Sequence, residues 1–246
     1  MRADLHVHSS ASDATDSPAE VMRRAALAGL DVVARTDHDT VAGHAEARAA
    51  AGPLYPPLAL LPGMELSCRL DGRSVHMLAY LFDPGQPTLA AELARIRDDR
   101  VLRARAMAAA GAIAEPSQAF TPDWIADGGR AYVDRYALDP VRAIGLVRAA
   151  GGVTVLAHPR AGRDTRVTDQ QITRLTAAGL AGLEVFHPDQ SDVERARLLA
   201  LASDLGLVAT GGSDDHGSLT GYRLGCETTS AGAYQDLLSR VPGSPA

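Results

Sequence analysis

The 246-residue sequence predicts an α/β fold in which parallel strands, covered by helices, close into a barrel. Three observations support this prediction. Seven short apolar runs read as strands, and amphipathic segments separate most of them. Alternating strands and helices favour parallel sheets, and seven or eight such units suggest a closed barrel, with an open doubly wound sheet as the alternative. No GxGxxG or P-loop motif follows any strand, which weakens a nucleotide-binding form of that alternative.

The order of elements follows from the apolar runs and the helix signals. The predicted strands span Ala3–His8, Asp31–Thr36, Leu58–Glu65, Val75–Leu81, Gly152–Ala157, Gly182–Phe186 and Leu207–Thr210. The first helix begins after Ser17, because Ser17, Pro18 and Glu20 form a capping-box pattern, and it ends at Gly29. Further helices are predicted over Val41–Ala51, Leu89–Ala110, Pro140–Ala150, Asp169–Ala178 and Asp192–Leu205.

Composition indicates an ordinary globular protein, and the length fits either one α/β barrel or two small domains. Hydrophobic residues make up 46% and charged residues 22%, which argues against disorder. No apolar run approaches the roughly 20 residues of a membrane span, and Met1 leads directly into a strand, so we expect a cytoplasmic protein with no membrane partner. The net charge of −6 does not favour non-specific binding to nucleic acid, although it permits a small anionic substrate. No pattern indicates an obligate protein partner.

The first strand carries two histidines on one face. Side chains alternate along a strand, so His6 and His8 project the same way while Leu5 and Val7 point to the other face. Imidazole suits Zn, Mn and Fe among the common ions. Alone, this pair is as compatible with two hydrogen-bonded histidines as with a metal.

The rest of the chain favours the metal. Histidines and carboxylates recur along the predicted strands, mostly at their carboxyl ends, and these ends meet on the face where barrel enzymes carry their active sites. The residues are His6, His8, Asp13, His38, Glu65, His76, His158, His187, Asp214 and His216. So many imidazoles and carboxylates in one crevice would be costly unless cations bound them. A catalytic zinc takes about three protein ligands, so several ions are expected, with Glu65 as the natural bridging carboxylate.

Several motifs together resemble the PHP family, named for polymerase and histidinol phosphatase. They are His6-Val7-His8, Thr36-Asp37-His38, Glu65, His76, Ala157-His158-Pro159 and Gly212-Ser213-Asp214-Asp215-His216. The resemblance runs from residue 3 to about residue 228 and covers nearly the whole chain. It implies a distorted (β/α)7 TIM-like barrel with three divalent ions, Mn, Zn or Fe.

Carried over position by position, the resemblance implies three ligand sets. The first metal would be held by His6, His8, Glu65 and Asp214, the second by Glu65, His76 and His158, and the third by Asp13, His38 and His216. His187 is not among these ligands. We expect His187 to support the ligands from behind or to contact the leaving group, with a structural hydrogen bond as the alternative, and His44 to be structural or on the surface.

Within the family, the strongest resemblance is to the branch of stand-alone phosphoesterases. The stretches that carry it are Asp4 to Ser9, Thr36 to Asp39 and Gly182 to Pro188. These enzymes remove the 3′-phosphate of nucleoside 3′,5′-bisphosphates, and some trim the 5′ ends of short RNA. The chain departs from them in the middle, where an Arg-Pro-His stretch is missing. We therefore predict one barrel domain over residues 1–246 with a shortened cap segment around residues 111–136.

The resemblance predicts hydrolysis of a small phosphorylated substrate, a nucleotide or short RNA, by a metal-activated hydroxide. Asp13, His38 and His187 are the candidate catalytic residues. Arginine pairs bidentately with phosphate, so Arg35, Arg160, Arg163 and His187 are the candidate substrate-binding residues. Carboxylates beside the ligands, such as Asp37, Asp39 and Asp215, are expected to orient imidazoles.

Three alternatives remain open at this stage. The first keeps the site and changes the substrate to histidinol phosphate or another small phosphomonoester. The second is a catalytically silent metal-binding scaffold, which the full ligand set argues against. The third is an amidohydrolase-type enzyme, of which the sequence excludes only the form with a carboxylated lysine, because the chain contains no lysine.

Overall fold

A computed structural model describes residues 1–54, 56–109, 136–162 and 166–243. It confirms the α/β barrel: one sheet contains seven strands in chain order and is nearly closed. The strands are β1 Ala3–Val7, β2 Val32–Arg35, β3 Ala59–Leu70, β4 Arg73–Tyr80, β5 Val153–Leu156, β6 Gly182–Phe186 and β7 Val208–Gly211. The chain divides into two compact units, one formed by Met1–Leu89 with Leu138–Ala246, which contains the barrel, and one formed by Ala90–Ala137.

The predicted cap segment around residues 111–136 lies outside the described residues, apart from Tyr136. The described part of the chain includes seven α-helices and one short 3₁₀ helix, Gly217–Thr220. The α-helices are α1 Pro18–Leu27, α2 His44–Ala51, α3 Pro87–Ala109, α4 Pro140–Ala149, α5 Asp169–Ala177, α6 Asp192–Asp204 and α7 Ala231–Ser239. None of the helices within the described ranges has the length and apolar character needed to cross a membrane.

Local signals explain where the helices start. Ser17 accepts a hydrogen bond from the Glu20 backbone N–H at 3.2 Å, as the capping pattern predicts, and Pro18 occupies the first turn. The chain leaves α1 through Gly29, whose φ of 69° lies in the left-handed region that glycine favours. Thr168 and Gln171 form a reciprocal capping box at the start of α5.

The expectation of parallel strands throughout is wrong at β4. This strand runs antiparallel to both β3 and β5, while the other neighbouring pairs along the sheet are parallel. The reason is the two-residue turn Asp71-Gly72, with φ values of 50° and 84°, which joins β3 and β4 as a hairpin. Asp-Gly between two apolar runs is a strong hairpin signal, because both central residues of this turn need positive φ.

The reversed strand determines where His76 lies. His76 is near the start of β4, and the backbone N–H of Ala157 donates to its carbonyl at 3.1 Å. In a strand that runs the other way, the amino end lies beside the carboxyl ends of its neighbours. His76 therefore reaches the same end of the barrel as His158, although it does not follow a strand.

Strands β1 and β7, the first and last of the sheet, are joined near the end of the barrel that carries His76 and His158. The His8 backbone N–H donates to the Asp215 carbonyl at 3.0 Å, and the Asp214 N–H donates to the His6 carbonyl at 2.8 Å. Beneath these contacts the barrel interior is filled by apolar residues from most strands, including Leu5, Leu78 and Val155. The two backbone hydrogen bonds hold His6 and His8 beside the loop that contains Asp214.

Candidate metal centre

Four donor atoms at the end of the barrel form a compact cage, here called the inner group: His6 Nε2, His8 Nε2, Glu65 Oε2 and Asp214 Oδ1. The two imidazole nitrogens are 3.1 Å apart. Each lies 3.1–3.2 Å from the Glu65 oxygen and 3.3–3.4 Å from the Asp214 oxygen. Donor atoms about 2.1 Å from a shared ion in tetrahedral geometry stand about 3.4 Å apart. The spacing of the inner group therefore fits ligands of one ion.

The other carboxylate oxygen of Glu65 faces a second set of imidazoles. Glu65 Oε1 lies 2.8 Å from His76 Nδ1 and 3.3 Å from His158 Nε2. We call these three the middle group. One carboxylate thus faces two groups of nitrogens, as expected of the bridging residue that the sequence predicts.

A third set of donors lies nearer the surface, here called the outer group. Asp13 lies 3.4 Å from His216 Nε2 through Oδ1 and 3.6 Å from His38 Nε2 through Oδ2. His8 also approaches Asp13, with Nδ1 3.5 Å from Oδ1. The Asp13 side chain is 51% exposed, whereas the side chain of Glu65 is 1% exposed.

The hydrogen bonding of the buried histidine nitrogens also indicates that these donors could bind cations. The Nδ1 atoms of His8, His38 and His76 are buried 2.8–3.5 Å from a carboxylate oxygen, and none of these contacts has the geometry of a hydrogen bond. Buried polar atoms are nearly always partnered, and nitrogen and carboxylate ligands are the ones that Zn and similar ions prefer. All nine predicted ligands lie in the four overlapping groups of donors that could hold a metal.

Glu184 orients two of the histidines, and the sequence did not assign it this role. His6 Nδ1 donates to Glu184 Oε1 at 2.9 Å, and the backbone N–H of His158 donates to Oε2 at 2.8 Å. With its proton on Nδ1, His6 presents the lone pair of Nε2 to the inner group. The second bond supports His158, whose φ of 27° is unusual for a residue with a side chain.

The carboxylates attract positive charge into this buried crevice. Burial by itself would lower the pKa of His6, but Glu184, Glu65 and Asp214 outweigh it and raise that pKa well above its ordinary value. Burial would raise the pKa of Glu65, yet the surrounding histidines hold it well below its ordinary value. The crevice is therefore suited to hold cations or protons between its carboxylates and imidazoles.

His38 differs from His6. Burial dominates there and lowers the pKa of His38 to about 3, in spite of the nearby Glu65 carboxylate. A neutral imidazole keeps a lone pair on one nitrogen, as a metal ligand requires.

The glycine before the Ser213-Asp214 motif allows the strands to approach closely. A Cβ added at Gly212 would lie 2.4 Å from His6 Cβ and 2.6 Å from the His6 nitrogen. Only glycine fits at this position without moving the ligand strand.

His187 lies next to the inner group and contacts Asp214. The Asp189 backbone N–H donates to His187 Nδ1 at 3.1 Å, so the ring proton is on Nε2, 3.3 Å from Asp214 Oδ2. His187 is 1% exposed. This geometry matches the structural hydrogen bond, and it leaves the expected contact with the leaving group unsupported.

Two of the predicted substrate-binding arginines, Arg35 and Arg160, are engaged in structural contacts. Arg35 is fully buried in β2 and its guanidinium contacts Asp37, which contradicts a direct role in phosphate binding. Arg160 is held by the Val167 carbonyl and by Asp169 at the start of α5, so it is also occupied by structural contacts. Arg163 lies outside the described residues.

Two of the carboxylates expected to orient imidazoles, Asp37 and Asp215, organise loops. Asp37 accepts from the N–H and hydroxyl of Ser9 at 2.8 and 2.9 Å and from the Ser12 hydroxyl at 2.9 Å, which shapes the loop before Asp13. Asp215 accepts from the backbone N–H of Arg223 at 2.7 Å and pairs with Arg24 at 3.0 Å. His44, expected to be structural, donates from Nε2 to the Gly63 carbonyl at 2.8 Å.

Three characterised relatives resemble the chain over most of its length. A 3′,5′-nucleoside bisphosphate phosphatase of Chromobacterium violaceum is 32% identical over 89% of this chain and 89% of its own. A 5′-3′ exoribonuclease of Haemophilus influenzae is 30% identical over 87% of this chain and 89% of its own. A phosphoribosyl 1,2-cyclic phosphate 1,2-diphosphodiesterase of Eggerthella lenta is 32% identical over 88% of this chain and 95% of its own.

The fold has a solved counterpart. A crystal structure described as a putative metal-dependent phosphoesterase from Bifidobacterium adolescentis superposes with a TM-score of 0.85 and 31% identity, covering 97% of this chain and 96% of that one. The PHP domain family model matches residues 4–115, which include six of the nine predicted ligands, from His6 to His76. The chain therefore belongs to the PHP domain family of metal-dependent phosphoesterases.

Proposed function

We propose that the chain removes phosphate from small nucleotides, with nucleoside 3′,5′-bisphosphates as the leading substrate, and that it uses three divalent ions, Mn, Zn or Fe. The observation that supports this most strongly is the position of Glu65. Its two carboxylate oxygens each face two or more histidine nitrogens at 2.8–3.3 Å. A bridging carboxylate of this kind is typical of multinuclear hydrolytic sites, where adjacent ions act on one phosphate.

The residues that would hold the ions are the inner, middle and outer groups. They are His6, His8, Asp13, His38, Glu65, His76, His158, Asp214 and His216. Divalent ions in such a centre supply Lewis acidity, which activates water and neutralises charge on phosphate oxygens. Among the protein groups, Asp13 is the most accessible of the three ligand carboxylates.

The chain's own residues keep this centre in one arrangement. Glu184 fixes the tautomer of His6, and the N–H of His187 lies beside the Asp214 oxygen that faces away from the inner group. We assign His187 a positioning role at Asp214 in place of the leaving-group contact. Preorganised donors of this kind need not rearrange during the reaction.

The relatives support the phosphoester class and leave the substrate to be tested. The bisphosphate phosphatase supports a nucleotide monoester, and the exoribonuclease supports short RNA. The cyclic phosphate diphosphodiesterase is a second candidate, favoured because the chain covers 95% of that relative against 89% of the other two. Histidinol phosphate and a silent scaffold remain competitors that the same experiment separates.

The experiment measures phosphate release by Mn-loaded and Zn-loaded protein. The substrates are adenosine 3′,5′-bisphosphate, phosphoribosyl 1,2-cyclic phosphate, histidinol phosphate and a 5′-phosphorylated short RNA. For the cyclic diester, the ring-opened product is followed by chromatography as well. We expect turnover of the bisphosphate to be the fastest.

Two variants control the experiment. His158→Ala removes a middle-group ligand and should abolish turnover. His44→Gln changes a histidine outside the cluster, keeps a donor for the Gly63 carbonyl and should leave turnover unchanged. Faster turnover of another substrate would reassign the specificity. Three bound metals without turnover of any substrate would refute the phosphatase proposal and favour the scaffold.

A further inference from the structure

Arg223 contacts a predicted metal ligand directly, although the sequence did not single it out. Its Nη2 lies 3.1 Å from the Asp214 carbonyl oxygen and 3.4 Å from Asp214 Oδ2. Its Nη1 lies 3.3 Å from Asp189 Oδ2. The side chain is 20% exposed, so one part of the guanidinium faces the cluster and another faces solvent.

The backbone holds Arg223 in this place. The chain turns sharply after the 3₁₀ helix, with Gly221 and Tyr222 both at positive φ, 74° and 59°. The Arg223 N–H then donates to the buried Asp215 carboxylate at 2.7 Å. A side chain at positive φ is unfavourable, so it persists only where surrounding contacts enforce it. The turn therefore places the guanidinium reproducibly beside Asp214.

The Asp214 carboxylate separates Arg223 from the inner group. Oδ1 faces His6 and His8 at 3.3–3.4 Å, whereas Oδ2 faces Arg223 and His187 at 3.3–3.4 Å. A phosphate that reacts must lie on the Oδ1 side, among the nine donors. A phosphate that binds Arg223 lies beside the centre and does not react.

Part of the guanidinium is available for an anion. The Arg223 Nε is buried and Nη2 faces Asp214, so Nη1 is the nitrogen to which an anion can bind. Nη1 pairs with Asp189, whose side chain is 58% exposed, and exposed ion pairs contribute little stability. A phosphate oxygen accepts a charge-assisted hydrogen bond as a carboxylate oxygen does, so phosphate can replace Asp189 at Nη1 at little cost.

We propose that Arg223 binds the non-reacting phosphate of a bisphosphate substrate, with Asp189 occupying the guanidinium when no substrate is bound. The inference rests on the proposed function and specifies it, because it explains how a substrate with two phosphates is distinguished from one with a single phosphate. For a nucleoside 3′,5′-bisphosphate that loses its 3′-phosphate, the group at Arg223 is the 5′-phosphate.

The first test measures binding and needs no turnover. Calorimetry compares the affinity of adenosine 5′-monophosphate, which carries only the non-reacting phosphate, for metal-loaded wild type and Arg223→Gln. Loss of a charge-assisted pair predicts about 10- to 100-fold weaker binding in the variant. Asp189→Asn removes the competing carboxylate and should bind as tightly as wild type or more tightly. Arg174→Gln, which changes an exposed arginine paired with Asp71, should leave affinity unchanged.

The second test separates anchoring from support of the metal centre. Arg223→Gln should raise KM about 10- to 100-fold for adenosine 3′,5′-bisphosphate and much less for adenosine 3′-monophosphate, with kcat and metal content close to wild type. Arg223→Lys should recover part of the loss. Equal KM changes for both substrates, loss of bound metal, or unchanged binding of the 5′-monophosphate would each overturn the proposal. Failure of wild type to release phosphate would instead refute the proposed function.

Discussion

The side chains of His6, His8 and Glu65 are at most 1% exposed, whereas His38 and His216 are about 15% exposed and Asp13 is 51% exposed. His6 lies on strand β1 and Glu65 on β3, and His8 directly follows β1. Glu184 on β6 fixes His6. The outer residues lie in loops that follow strands. The barrel therefore builds an inner site that is buried except at Asp214, which is 18% exposed, and an outer site opened by the exposed Asp13. The two sites use the same kinds of donor and should differ in how strongly they hold an ion.

The largest expected loss of metal and activity follows mutation of Glu65, the residue shared by the inner and middle groups. Glu65→Gln removes the negative charge between the two sets of imidazoles and should lower metal content by about two ions per chain, with kcat down roughly 100- to 1,000-fold or more. Elemental analysis and phosphate release measure both. Retention of three ions with near-normal kcat would show that Glu65 does not bridge. Thermal unfolding of the variant separates this effect from misfolding.

A smaller loss of metal affinity is expected on mutation of Glu184, which binds His6 Nδ1 on the side of the ring opposite to the inner group. Glu184→Gln keeps the shape and weakens the orientation of His6, so metal affinity should fall about 10- to 100-fold. Activity should return at high metal concentration, which distinguishes a positioning residue from a ligand. An activity loss that added metal cannot restore would contradict this role.

Mutation of the outer group should reduce metal binding less than mutation of Glu65 or Glu184. In Asp13→Asn an amide replaces an exposed carboxylate, and water can supply the missing ligand. We expect one ion to bind about tenfold more weakly, about 1.4 kcal/mol, while the other two stay bound. Metal titration followed by elemental analysis checks this. Loss of all ions together would show that the inner and outer sites are not independent.

The smallest effect on function is expected in the hairpin that carries His76. Gly72 has a φ of 84°, and a Cβ there would meet no atom within 4 Å. Gly72→Ala should cost about 1–2 kcal/mol of stability through backbone strain alone, with metal content and kcat retained. Chemical denaturation measures the free energy of unfolding. A loss of metal in this variant would show that the turn also supports the middle group.

The sequence predicts well what is local or carried by short motifs. The apolar runs locate the seven strands. The ligand motifs assemble into one cluster because the carboxyl ends of the parallel strands and the amino end of β4 meet at one end of the barrel. The prediction of parallel strands is wrong for β4, although Asp71-Gly72 is a hairpin signal. Alternating strands and helices imply parallel strands, but β3 and β4 are joined by a two-residue turn and no helix lies between them.

The contacts that support the ligands, made by Glu184 and Arg223, could not be predicted from the sequence. His6 and Glu184 are 178 positions apart, and the Arg223 contact with Asp214 depends on a turn with two positive φ values. No local pattern joins such residues. Arg35 was misassigned because it follows Val32, Val33 and Ala34 in a strand that the structure buries completely. The three apolar residues that precede Arg35 in this strand indicate that it is enclosed rather than open to substrate.

The most direct test of the site is anomalous diffraction from a crystal of the Mn-loaded protein. The proposed centre predicts three peaks, two of them flanking the Glu65 carboxylate and the third between Asp13, His38 and His216. A single peak, or peaks that leave Glu65 without a metal contact, would contradict the bridged trinuclear centre.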